Sequence, residues 1–319
     1  MSVLGDFRQK ADKAQIPAVV HFDLTYRCHQ DCLHCYLPQT LRRESGKPAE
    51  LATPKVKRVL DELAEAGTFF LTLSGGEVFL RPDLLEIVAY ARRQNFAVAL
   101  MTSGFQTAEA GLVRHLKELG LVNIYLSLYS LKAAVHDRIT QTPGSWEAAW
   151  NTLANCRSQG LSIVLNCTIM GHNYGDMWEF MEFVSRENVP LRWNYDLSPR
   201  WDGWPHPPEI LLSPEQKEVL DREFVDVALL EKAAENLGQS PDLQSCAAGI
   251  GHGYLTPQAD VWPCLDVKWK CGNILRAANF TSLWQDSAVL KKVRFLQENL
   301  INSETRLCQI YQPYTEESG

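Results

Sequence analysis

Between Pro17 and Leu197 one pattern returns six times: a short apolar or alternating stretch, then an amphipathic stretch of helical period. Val20, Phe22 and Leu24 alternate with His21, Asp23 and Thr25, the period of a strand with one buried face. Thr53-Pro54 sets a capping residue before a proline, and Gly67 closes the helix that they open. Further strands are expected at 68–73, 96–101, 121–128, 161–170 and 189–197, and helices at 82–95, 107–119, 145–158 and 174–187. A run of strand–helix units predicts a parallel sheet with its helices outside. Right-handed crossovers at this repeat length curl the sheet into a barrel or an open part of one. The expected fold is α/β, a partial (β/α)6 barrel with parallel strands, followed by a small C-terminal extension with a β-hairpin.

The flanks divide the rest. Residues 1–16 are polar and read as an N-terminal leader, 17–197 as the barrel, and 198–239 as a connector and helix. Ser198–Pro214 holds five prolines and two tryptophans, which stops any strand or helix from continuing. Its tryptophans are candidates for substrate contact. Ser213-Pro214 then opens an amphipathic helix expected to reach about Leu237. From Pro241 the composition shifts, and Cys246, Cys264, Cys271 and Cys308 all fall in 240–319.

The net charge of -7, from 31 basic and 38 acidic residues, argues against a nucleic-acid binder driven by phosphate contacts. No apolar run approaches the roughly 20 residues that span a bilayer, so no membrane association is expected. The first residues lack a signal-peptide core. Nine cysteines, clustered rather than spread, suit metal ligation in a reducing compartment, and a cytoplasmic location is expected.

Three of those cysteines stand within eight residues, Cys28-His-Gln-Asp-Cys32-Leu-His-Cys35. Three thiolates leave one corner of a four-iron cubane without a protein ligand. A tetrahedral zinc ion would need a fourth, which His29 or His34 could supply. The trio alone permits either metal. Ligands in an αβ barrel sit where the C-terminal ends of the strands feed the loops. The trio follows the first strand and Gly75-Gly76-Glu77 the second, so the two motifs are expected side by side.

In this order and context the two motifs resemble the radical S-adenosylmethionine superfamily, with a resemblance running from 17 to about 310. It implies that Cys28, Cys32 and Cys35 hold a [4Fe-4S] cluster whose open iron chelates S-adenosylmethionine, while Gly75, Gly76 and Glu77 contact the methionyl amine. His34 takes the place of the usual aromatic residue near adenine. Ser103 and Ser127 match positions that bind ribose or carboxylate, and Asn166 one near the nucleoside. The plainer alternatives are turn hydroxyls for the serines and a buried amide for Asn166. The implied chemistry is reductive cleavage of the sulfonium to a 5'-deoxyadenosyl radical, which abstracts hydrogen from substrate.

The run from Cys246 to Cys264, with Cys271-Gly272-Asn273-Ile274 and Leu283-Trp284, resembles the hairpin that opens a twitch or SPASM extension. Such extensions carry auxiliary iron–sulfur clusters. Four cysteines suffice for one, expected on Cys246, Cys264, Cys271 and Cys308, with Asp266 as a substitute ligand for Cys271. Cys156 and Cys167 read as core packing, and His29 as solvent-facing. Arg192, Asn194 and Asp196 share one face of the sixth strand, either lining a substrate cavity or facing outward at an open barrel edge.

Ser127-Leu-Tyr-Ser130, His136–Thr140 and Pro143–Trp146 resemble the subgroup that modifies ribosomally made peptides. That implies a precursor peptide as substrate, altered by cross-linking, excision or related C–H chemistry. It also implies an electron donor such as flavodoxin or ferredoxin. With about 16 residues before the first strand, leader recognition is expected from a separate small peptide-recognition protein. Tetrapyrrole side-chain chemistry is the alternative, and a zinc-bound non-catalytic protein the third reading.

Overall fold

The computed structural model describes residues 10–43, 50–224 and 246–300. Six parallel strands form in chain order: β1 (Val19–Thr25), β2 (Phe70–Gly75), β3 (Ala97–Thr102), β4 (Asn123–Ser127), β5 (Ile163–Thr168) and β6 (Leu191–Asn194). Each pairs with the next, which is the expected partial barrel. The connecting helices are α1 (Gln39–Arg42), α2 (Thr53–Glu65), α3 (Leu84–Arg93), α4 (Ala110–Glu118), α5 (Ala133–Thr140), α6 (Ser145–Gln159) and α7 (Met177–Glu187). Helix α8 (Pro214–Phe224) starts at the expected proline, and its expected continuation to Leu237 lies outside the described residues.

Alternation decides the two faces of the sheet. Val20, Phe22, Leu71, Leu73, Val98, Leu100, Ile124, Leu126 and Leu165 join the apolar rows of the helices in one continuous core. At about 1.5–3 kcal/mol for each fully buried large side chain, this layer is the main source of stability. Cys156 and Cys167 belong to it, as expected. The opposite, concave face carries a smaller apolar cluster of Ala99, Tyr125 and Val164 beside the polar side chains of His21, Asp23, Ser127, Asn166 and Thr168.

The extension is less separate than its composition suggests. Strands β7 (His252–Leu255), β8 (Asp260–Trp262) and β9 (Gly272–Asn273) continue the same sheet, in the order β6-β5-β4-β3-β2-β1-β7-β8-β9. Strand β7 runs parallel to β1 and antiparallel to β8, with the turn at Thr256–Ala259. Helices α9 (Phe280–Asp286) and α10 (Ala288–Leu300) follow. Trp284 packs within 3.0–3.1 Å of where a side chain on Gly253 would begin, so α9 seats directly on β7. Among the short helices, α1 lies inside a polar stretch and α5 gives only a weak apolar stripe over its eight residues, so neither carries a clear sequence signal.

Candidate active site

The cysteine loop leaves β1 at Thr25 and is fastened on several sides. Arg42 of α1 is buried, and its guanidinium donates to Gln30 O (2.6 Å), Leu37 O (3.0 Å) and Asp31 Oδ1 (2.7 Å). Its own carbonyl accepts from the Cys28 N–H at 3.2 Å. Arg43 binds the other oxygen of Asp31. From α5, Ile139 O and Thr140 O accept the N–H groups of Leu33 (2.9 Å) and Asp31 (3.2 Å). From the connector, Trp201 donates its N–H to Tyr36 O at 2.9 Å. Arg42 and Asp31 carried no sequence signal, since an arginine in a polar stretch ordinarily belongs to the surface.

All three thiols are free and partly buried. Burial pushes Cys28 up to about 12, with Glu77 and Cys35 adding to the rise. Burial, then the charges of Cys35 and Cys28, push Cys32 well up, and burial raises Cys35. The trio is therefore close enough to repel as thiolates and is partly offset by Arg42. Among the described residues no three acidic, histidine or cysteine side chains converge in metal-ligand geometry. Cys32 instead donates to Gln30 Oε1 at 3.3 Å, and Cys28 Sγ accepts the Gln30 N–H at 3.4 Å.

Three side-chain atoms inside this loop, His29 Nε2, Gln30 Nε2 and His34 Nδ1, are buried without a hydrogen-bond partner. Buried polar atoms are normally satisfied, so a cluster of orphans marks a place where something polar binds. Three soft thiolates beside a cation are the donor set that an iron–sulfur cluster takes. The residues fit such a group.

His29 is half-buried, not fully solvent-facing. Its ring packs edge-on against Phe105 at 4.6 Å, because the loop folds back over the end of β3. His34 meets Tyr129 edge-on at 4.8 Å. Burial, then the imidazoles of His206 and His136, lower its pKa to about 4 and keep it neutral. Tyr129 in turn stacks on His136 at 5.4 Å, and its N–H donates to His136 Nδ1. The Ser127–Ser130 and His136–Thr140 motifs thus build the floor under the cysteine loop. Asp137 completes it by accepting from Gly144 N, Ser145 Oγ and Trp146 N at the start of α6, each at 2.8 Å.

Gly75 and Gly76 lie against the loop's first residues. A Cβ on Gly75 would stand 1.9 Å from Thr25 O, and one on Gly76 2.3 Å from Arg27 O. With φ +142 at Gly75, the pair lets β2 pass the bulge at the end of β1. Glu77 is fully buried, and its carboxylate already accepts from Thr102 Oγ1 (2.8 Å), Phe79 N (3.3 Å), and the N–H (2.9 Å) and hydroxyl of Ser103. The structure therefore ties Ser103 to Glu77, coupling the ends of β2 and β3. Ser127, Asn166 and Arg192 form one row across the concave face, in register from β4 to β6. Arg192 and Asn194 are exposed on the edge strand, with Arg192 over the Tyr125 ring at 5.4 Å, and Asp196 is exposed beyond the strand's end. Of the connector tryptophans, Trp201 sits among Tyr26, Tyr36 and Trp262, while Trp204 is 71% exposed.

In the extension, Cys246 and Cys264 are neighbours. Both pack on one small apolar cluster, and the Cys264 thiol is raised by burial, then by Asp266 and Cys246. Cys271 has other company. Burial pushes it up to about 12 against the Arg294 guanidinium, and its thiol donates to Trp269 O at 3.3 Å. Asp266 accepts from Ser198 of the connector. Cys308 lies outside the described residues.

Residues 22–184, more than half of the chain, match the Radical SAM superfamily. The chain belongs to that superfamily and is a radical SAM enzyme, and the cofactors of the family are a [4Fe-4S] cluster and S-adenosylmethionine. Over 297 residues it is 28% identical to mycofactocin maturase MftC of Mycobacterium tuberculosis, covering 87% of this chain and 73% of the relative. It is 31% identical over 179 residues to Fe-coproporphyrin III synthase of Methanosarcina barkeri, covering 56% of this chain and 44% of that one. Its fold matches the crystal structure of Streptococcus suis SuiB bound to precursor peptide SuiA, with a TM-score of 0.68 and 14% identity over 91% of this chain and 70% of SuiB.

Proposed function

We propose that this chain is a peptide maturase that opens a C–H bond of a ribosomally made precursor peptide. The observation that carries the reading is the likeness to mycofactocin maturase across 87% of the chain. When bound, the [4Fe-4S] cluster and S-adenosylmethionine supply a 5'-deoxyadenosyl radical that takes a hydrogen atom from substrate. Cys28, Cys32 and Cys35 would hold the cluster, with Arg42 as fixed countercharge. His34 and Tyr129 would wall the nucleoside side, with Ser127 and Asn166 below them. The carboxylate of Glu77 is committed to Thr102 and Ser103, so its part in cofactor binding is to fix the Gly75-Gly76 backbone and Ser103. Arg192, Asn194 and Asp196 would meet the peptide at the open edge of the concave face.

An auxiliary cluster in 240–319 is anchored in this reading by Cys246 and Cys264, with Cys308, and with Cys271 or Asp266 completing the set. Reduction needs an external one-electron donor of the flavodoxin or ferredoxin class, and a separate small protein would present the leader. All eight described cysteines are free, which fits a reducing cytoplasm. Among the described residues no helix is long and apolar enough to cross a membrane.

Anaerobic reconstitution with iron, sulfide, S-adenosylmethionine and dithionite tests the chemistry, and co-expression with short open reading frames beside the gene tests the substrate. A mass change in a co-expressed peptide is the expected result. The likeness to Fe-coproporphyrin III synthase supports a second reading. Turnover of a tetrapyrrole with every candidate peptide unchanged would replace the first reading with that one.

A further inference from the structure

The concave face of β1 carries a carboxylate that none of these roles uses. Asp23 is completely buried (0% exposed). Tyr254 donates its hydroxyl to Oδ2 at 2.5 Å, Tyr36 donates to the same oxygen at 3.3 Å, and His21 Nε2 lies 2.9 Å from Oδ1. None of these partners carries a fixed positive charge. Desolvating a carboxylate on such partners costs several kcal/mol, far more than an apolar residue at the same place.

His21 connects that carboxylate to the open side of the sheet. Its side chain is 26% exposed, and its ring is stacked on Tyr254 with centroids 5.5 Å apart and planes at 26°. With the Nε2 hydrogen directed to Asp23, Nδ1 keeps a free lone pair, which is the state of a base. The pair adjoins the radical-generating loop, since Tyr36 directly follows Cys35. Its other neighbours are Tyr254 and His252 on the same face of β7, and Thr72 and Ser74 on β2, which do not titrate. Tyr26 bonds to Tyr254 behind them.

We propose that His21, held by Asp23, is a general base on the concave face that removes a proton from an N–H, O–H or S–H group of the substrate. The proton passes to His21 Nδ1, the electron pair of the broken bond stays on the substrate heteroatom, and the imidazolium is balanced by the Asp23 carboxylate. No electron is exchanged in this step. Asp23 is a positioning residue, and Tyr36 and Tyr254 hold it. The inference rests on the peptide-maturase reading, and it names a heteroatom nucleophile as part of the substrate.

The test compares wild type with His21→Gln on the precursor peptide found by co-expression, measuring modified peptide formed per 5'-deoxyadenosine released. That ratio is expected to fall about 100-fold, the usual loss when a general base is removed. Added imidazole should restore part of the product in His21→Ala. An unchanged ratio in His21→Gln overturns the proposal. A wild type that releases 5'-deoxyadenosine but modifies no peptide fails the maturase reading instead. In that case 15N NMR of histidine-labelled protein still tests the pair. The resonance lost in His21→Gln should show Nε2–H with a bare Nδ1, and should change in Asp23→Asn. A wild-type Nδ1–H tautomer leaves no base facing the cavity and overturns the proposal.

Discussion

The loop at 28–35 and the segment from 246 to 271 both bring free, partly buried cysteines to the same sheet, yet the protein holds them differently. In the first, three thiols on one loop feel each other's charge, a buried arginine ties the backbone around them, and three polar atoms wait without partners. In the second, two thiols sit together and a third lies against a different cation. The first arrangement carries its three thiols on one short stretch of chain, which Arg42, α5 and the connector then fasten. The second draws on residues that are far apart in sequence, so the ligand set proposed there is an assembly and not a motif.

Substitution of cysteines gives the largest expected contrast. Cys28→Ala, Cys32→Ala or Cys35→Ala should abolish 5'-deoxyadenosine formation altogether, since each removes a proposed ligand of the radical-generating cluster. Cys246→Ala or Cys264→Ala should leave uncoupled cleavage measurable while peptide product disappears. Equal loss of cleavage in both sets would remove the distinction between the two regions.

The next effect tests how tightly the first region is built. Gly75→Ala puts a methyl 1.9 Å from Thr25 O, at a φ that an L side chain rarely adopts. A cost of about 3 kcal/mol is expected from backbone displacement and strain together, read as a lowered denaturation midpoint. Arg42→Met should cost about 2 kcal/mol, because the carbonyls of Gln30 and Leu37 and the carboxylate of Asp31 all lose a donor. Its sharper signature is reduced iron retention at the 28–35 site with the 246–264 site unaffected.

The fold was legible because its signals are periodic: alternation on β1, caps and glycines at helix ends, and the strand–helix repeat. The trio and Gly75-Gly76-Glu77 were legible because close spacing forces proximity. Arg42, Asp31 and the buried Asp23 were not. Each is a charged residue in a locally polar or alternating stretch, and only tertiary packing buries Arg42 and Asp23 and brings Asp31 to the Arg42 guanidinium. Strand parity correctly put Arg192 and Asn194 on the face of Asn166, but could not show that β6 is an edge. Glu77 shows the opposite limit, since the motif located it while its four donors come from elements that the motif does not contain.

A smaller effect separates structure from chemistry in the floor of the site. Although burial pushes the Asp137 carboxyl up, the N–H of Trp146, the Ser145 hydroxyl and the N–H of Gly144 outweigh it and hold it below the usual carboxylate range. A carboxyl lowered in the folded state contributes stability that is complete above its unfolded pKa and is lost as pH falls through the folded value. Asp137→Asn should therefore cost about 1 kcal/mol near neutrality, the worth of a helix cap. It should also remove part of the acid-side loss of stability seen in wild type. Denaturation midpoints at neutral and acid pH check both.

The smallest effect bears on Cys271. If the auxiliary cluster is centred on Cys246 and Cys264, Cys271→Ala removes a buried thiol that donates to Trp269 O and lies near Arg294, not a ligand. Auxiliary iron should then be retained in Cys271→Ala and lost in Cys246→Ala, with Asp266→Ala as the informative third variant because Asp266 adjoins Cys264. Equal iron loss in Cys271→Ala and Cys246→Ala would mean that binding the cluster draws Cys271 away from Arg294 toward the pair. The two regions would then differ only in how far their ligands must travel.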